Sequence, residues 1–96
     1  HLSKKQQAEL YGIASLQSPH NKFKVRALEK LVALQGKKCR DVLVALVKDK
    51  SLRVRVAAIR HFGALKDKSA ATMLIGLLDA RKEVVRVAAA GALLGL

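Results

Sequence analysis

At 96 residues, half of them apolar, the chain is one domain, too small for a large catalytic core with a deep pocket of its own. Its formal charge of +12, from nineteen Lys and Arg against seven acids, exceeds what solubility asks of a small domain and favours an anionic partner. A lone cysteine, Cys39, excludes an internal disulfide or a closed zinc cage and fits a reducing, cytoplasmic setting, and no apolar run approaches the roughly 18 residues that cross a bilayer.

The chain opens on His1 without a signal-peptide pattern, and it reads as a piece of a longer protein with a tag remnant at its start. A first helix is predicted over residues 6–17, closed by Ser18-Pro19-His20-Asn21, because proline disfavours helical geometry before it and offers no amide hydrogen. The second helix carries FKVRALEKLVAL from Phe23, and Gly36 is placed to close it in a left-handed C-cap. Next comes a helix whose apolar face is Leu43, Val44, Leu46 and Val47; its run VLVALV is the one stretch that strand periodicity could claim. Asp49-Lys50-Ser51 turns the chain, with Ser51 as N-cap of a fourth helix, VRVAAIRHFGAL from Val54. Lys66-Asp67-Lys68-Ser69 then links to a fifth helix through Leu74, Ile75, Leu77 and Leu78. Asp79-Ala80-Arg81-Lys82 turns into the sixth, VRVAAAGALLGL from Val85.

Phe23, Val54 and Val85 are spaced by 31 residues, and that offset registers most of the chain on itself. Ala27, Ala58 and Ala89 share the next position, then Leu31, Phe62 and Leu93, then Leu34, Leu65 and Leu96. Their helical spacing marks one buried face, and the invariably small second position suits a helix crossed closely by another. The intervening segments align Leu43 with Leu74 and Val47 with Leu78, which settles VLVALV as helix; a fainter first copy places Ile13 and Leu16 opposite Val44 and Val47. The expected fold is all-α: an α-solenoid of about three stacked antiparallel helix pairs, with repeats at about residues 4–35, 36–66 and 67–96. The third copy has almost no polar face, so either the solenoid continues past it or this apolar repeat is a surface for self-association.

No catalytic constellation, metal site or cofactor motif is expected. His1, His20 and His61 lie at no ligand spacing from one another or from an acid, and acids are too few for paired carboxylate chemistry. His61 registers with Lys30 and Ala92, which reads as a solvated position, and Cys39 registers with Ala70, which reads as small buried packing. A basic cluster in the inter-repeat links, Lys37, Lys38, Arg40, Lys66 and Lys68, forms a candidate edge patch.

The motif residues Asp49, Val54-Arg55-Val56-Ala57-Ala58, Phe62-Gly63, Asp67, Ala70 and Val85-Arg86 resemble the HEAT-like repeats of the phycobilisome-lyase type, strongly in the second and third repeats and weakly in the first. The resemblance implies a superhelix whose second helices line a concave surface, which makes Lys22, Lys30, Arg53, Arg60 and His61 the candidate partner-binding residues. It also implies a ladder in which Asp49 in the turn pairs with Arg55, with Lys24 and Arg86 at the same register position as Arg55. Ala80 replaces the expected Asp in the third repeat and Pro19 in the first, so Arg86 is left to use Asp79 or Asp49. The functional expectation is a non-catalytic scaffold that binds an acidic protein partner through its basic concave or edge surface. The alternatives are duplex nucleic-acid binding through phosphates, and a bilin-lyase-like chaperone subunit, which fold analogy alone suggests.

Overall fold

A computed structural model describes residues 1–96 throughout. Six α-helices follow one another: α1 (Lys4–Gln17), α2 (Asn21–Gln35), α3 (Arg40–Leu46), α4 (Leu52–Ala64), α5 (Ala71–Leu77) and α6 (Glu83–Gly95). They form three hairpins, α1 with α2, α3 with α4 and α5 with α6, and successive hairpins stack chiefly through α2, α4 and α6. The stack measures 44 × 27 × 15 Å. The all-α solenoid and its helix-pair repeats are as the 31-residue register requires.

Local chemistry sets the helix ends. Ser3 caps α1 in a reciprocal capping box: its hydroxyl accepts from the Gln6 amide, and the Gln6 side chain accepts from the Ser3 amide. The Ser51 hydroxyl accepts from the Val54 amide at the start of α4, as its place before the apolar run predicts. Gly36 has the positive φ expected after α2, 55°, but its ψ of −131° lies outside the left-handed helical region. Lys66, the one non-glycine with positive φ, closes α4, where its amide donates to the Gly63 carbonyl and the Asp67 amide to the Phe62 carbonyl. The inter-repeat links are also more ordered than a loop reading allows. Gly36–Cys39 and Lys68–Ala70 are 3-10 turns that lead straight into short α3 and α5, the second capped by Asp67, which accepts from the Ser69 amide at 3.1 Å.

One continuous core runs through the stack, centred on Phe62, Leu28, Leu31, Leu43, Leu46, Ile59 and Leu74, all essentially inaccessible to water. Val54 and Val85 are buried as their register predicts, whereas Phe23, in the first repeat, is 53 % exposed. At the other end of the stack Val87 and Leu94 are 64 % and 90 % exposed, although Val56 and Gly63, which hold the same positions one repeat earlier, are buried, Gly63 directly against Ala92 of α6. No helix is long and apolar enough to cross a membrane.

Candidate protein-binding groove and inter-repeat ladder

The stacked second helices leave a groove on their outer side. Val25 of α2, Val56 and Ala57 of α4 and Val84 of α6 form its apolar floor, with Arg53 and Arg60 at its edge. Beyond Arg60 and Val84 a wider cavity of about 650 Å³ continues the groove between α4 and α6, lined by small residues such as Ala64, Ala88 and Gly91 and by one acid, Glu83. Arg60 and Val84 line both hollows, which makes them the centre of one surface.

The expected partner-binding set is therefore split. Arg53 and Arg60 share the groove; Lys22 and Lys30 are exposed on α2 but line neither hollow. His61 is half-buried, which corrects the reading of a solvated position: α4 turns this residue toward α2, close enough to feel the charge of Glu29. Burial pushes its pKa below the ordinary histidine value and outweighs the opposing attraction of Glu29, so at neutral pH it adds no positive charge. Because the unfolded chain binds that proton more readily, His61 stabilises the fold fully above about pH 6.5, and this contribution is lost as pH falls through the lower folded value. Melting curves between about pH 7.5 and pH 5.5 should show the native chain losing more stability on acidification than His61→Gln. Equal losses in the two proteins would mean that the imidazole is solvated after all.

The edge patch is also unequal. Lys37, Lys38, Lys66 and Lys68 are exposed, but Arg40 is engaged: its Nε lies 3.4 Å from the Asp67 carboxylate and its guanidinium donates to the Ser69 carbonyl. Asp67 itself is buried. Arg40 thereby fastens α3 to the link that opens the third repeat, a role with no signal in the register, since the position after Ala70 is Ala71.

The ladder runs differently from the expected pairing of Asp49 with Arg55. The Asp49 carboxylate takes Lys24 of the preceding repeat at 2.8 Å and accepts the Ser51 amide at 2.9 Å. Arg55 reaches only the Asp49 backbone carbonyl, at 3.4 Å, and its buried Nε has no partner. Arg86 uses neither Asp79 nor Asp49 but donates to the Ala80 and Arg81 carbonyls, at 2.8 and 3.2 Å. Lys24 crosses to the acid of the next repeat's turn; one repeat later Arg55 and Ala80 hold the positions of Lys24 and Asp49, so Arg55 has no counter-ion there. Burial alone would raise the Asp49 pKa; the Lys24 and Ser51 hydrogen bonds, with the charges of Lys24 and Lys50, outweigh it and hold the carboxyl below its usual range. Cys39 is buried, donates to the Gly36 carbonyl and has its pKa raised by burial, which fits packing.

A family model described as HEAT repeats matches residues 13–94. The chain belongs to the HEAT-repeat family. No curated protein and no solved structure matches it. HEAT repeats serve as protein-interaction scaffolds, generally without catalysis of their own, and the match begins within α1, where the register also fades.

Proposed function

We propose that this HEAT-repeat chain is a non-catalytic scaffold that holds an acidic segment of a protein partner in the groove across α2, α4 and α6. The observation that carries the reading is the joining of an apolar floor, Val25, Val56, Ala57 and Val84, to the cationic edge of Arg53 and Arg60. Apolar side chains of a partner would supply the buried contact, and its carboxylates would meet the two guanidinium groups, whose planar donors suit bidentate pairing. The charge of the whole chain would speed encounter with an acidic surface. Lys37, Lys38, Lys66 and Lys68 offer a purely polar edge that adds attraction without anchorage. Protein is favoured over nucleic acid because the groove floor is aliphatic, which suits leucine-like anchors and gives a phosphate backbone nothing to bind. The buried, lone thiol of Cys39 suits a cytoplasmic scaffold.

A labelled acidic peptide with interspersed leucines provides the test, read by fluorescence anisotropy. Charge reversal in the groove, Arg53→Glu with Arg60→Glu, should weaken binding by about tenfold or more, and Lys37→Glu with Lys38→Glu should weaken it far less. Equal losses from the two pairs would reduce the interaction to bulk charge. Tighter binding of a random-sequence DNA duplex than of the peptide at the same ionic strength would replace the protein partner with nucleic acid.

A further inference from the structure

The turns between the two helices of the second and of the third repeat line equivalent cavities with different polar contents. The first is lined by Leu16, Lys24, Asp49, Lys50 and Ser51, the second by Val47, Arg55, Ala80, Arg81 and Lys82, each residue 31 positions beyond its counterpart. In the first, the Asp49 carboxylate takes the Lys24 ammonium and accepts from the Ser51 amide, while the Ser51 hydroxyl caps α4. In the second both acceptors are gone. Ala80 stands in place of the carboxylate, and Lys82, in place of the serine, gives α6 no side-chain cap.

The second cavity, about 380 Å³ against about 590 Å³ for the first, is bordered by Arg55, Arg81 and Lys82 and has no acid in its lining. Arg55 is half-buried: its Nε is buried and unpartnered, and one terminal nitrogen makes only a long bond to the Asp49 carbonyl. A buried donor without an acceptor is costly, and an anion accepting from it would recover that cost. Asp79 and Glu83, the acids that flank this turn, are exposed and form no ion pair, and Arg86 is already committed to the turn carbonyls.

We infer that this cavity is an oxyanion site, in which one phosphate or carboxylate group takes the place that Asp49 fills one repeat earlier. The anion accepts from the guanidinium groups of Arg55 and Arg81 and from the Lys82 ammonium, and it occupies the uncapped start of α6. The site lies at the turns and shares no lining residue with the groove, so it stands independently of the proposed protein contact.

Phosphate and acetate, each titrated at ionic strength held constant with chloride and followed by NMR, test the inference. Phosphate or acetate should move the amide resonances of Arg81, Lys82 and Val85 and the Arg55 Nε–H together, and the shifts should saturate. The two arms tell a phosphate site from a carboxylate site, and saturation by either supports the inference. Ala80→Asp places a carboxylate in the cavity and should weaken anion binding by about tenfold or more, while Thr72→Asp, which adds the same charge on exposed α5, should leave it within about twofold. Shifts spread over all the exposed lysines without saturation, or Ala80→Asp binding anion as Thr72→Asp does, would overturn the site.

Discussion

Phe62→Ala should cost this chain about 3–5 kcal/mol, a large share of the 5–15 kcal/mol that a domain of this size commands. Phe62 is the largest of the wholly buried side chains and sits in the middle repeat, in the one core that all three hairpins share. Its removal takes away the transfer energy of a ring and leaves a cavity that stacked helices close only in part. The position matters as much as the size. A solenoid is held by contacts between neighbours, so a hole in the central repeat weakens the attachment of both outer ones. In urea, the variant's midpoint should fall steeply with the slope of the transition retained, provided the stack still unfolds as one unit. A loss below about 1 kcal/mol would mean that the core is not continuous through Phe62.

The importance of Phe62 was legible in the register, and so was most of the fold. Helical spacing repeated at one fixed offset names both the element and its neighbour, because equivalent positions must meet equivalent surroundings. What escaped depends on geometry that the offset does not encode. The 3-10 turns at Gly36–Cys39 and Lys68–Ala70 differ from α-helix by one residue in hydrogen-bond spacing, which side-chain periodicity barely registers. Arg40 looked like one more cation in a basic link, but its pairing with Asp67 depends on how the second hairpin is set against the third. His61 registers with an exposed lysine in the first repeat and a buried alanine in the third, and only stacking turns that position inward from one end of the chain to the other.

The ladder gives the same lesson in charge. Lys24 and Asp49, 25 residues apart, meet because the helix of one repeat lies beside the turn of the next. The cue was present in the sequence: a cation recurs at one register position in every repeat, Lys24, Arg55 and Arg86, whereas the turn acid Asp49 stands in the second repeat alone. Taken within one repeat, the pattern pairs Asp49 with Arg55; taken between repeats, it pairs Asp49 with Lys24 and leaves Arg55 unmatched. The two inter-repeat ion pairs, Lys24–Asp49 and Arg40–Asp67, each join neighbouring hairpins, so part of the basic surface is structural. The freer cations of the groove and the second turn cavity are those available to a partner.

Gly63→Val should separate α6 from α4, at a cost of about 3 kcal/mol. These helices approach so closely that a Cβ at Gly63 would lie 2.7 Å from the Ala92 Cα and 3.1 Å from its carbonyl oxygen, contacts with backbone that no rotamer change relieves. Gly95 repeats the arrangement one turn on, where a Cβ would stand 3.1 Å from the Gly63 carbonyl oxygen. Small residues thus set the distance between the last two repeats, and a branched side chain would have to push α6 away bodily. Gly91 is the control: a Cβ there meets nothing within 4 Å, so Gly91→Ala should gain up to about 1 kcal/mol from helix propensity. Hydrogen exchange would read the difference, with amides of α6 losing protection in Gly63→Val while α1 and α2 retain theirs. If Gly63→Val were instead as stable as Gly91→Ala, α4 and α6 would have to pack through side chains at ordinary separation, and the groove floored by Ala64, Ala88 and Gly91 would be a different shape.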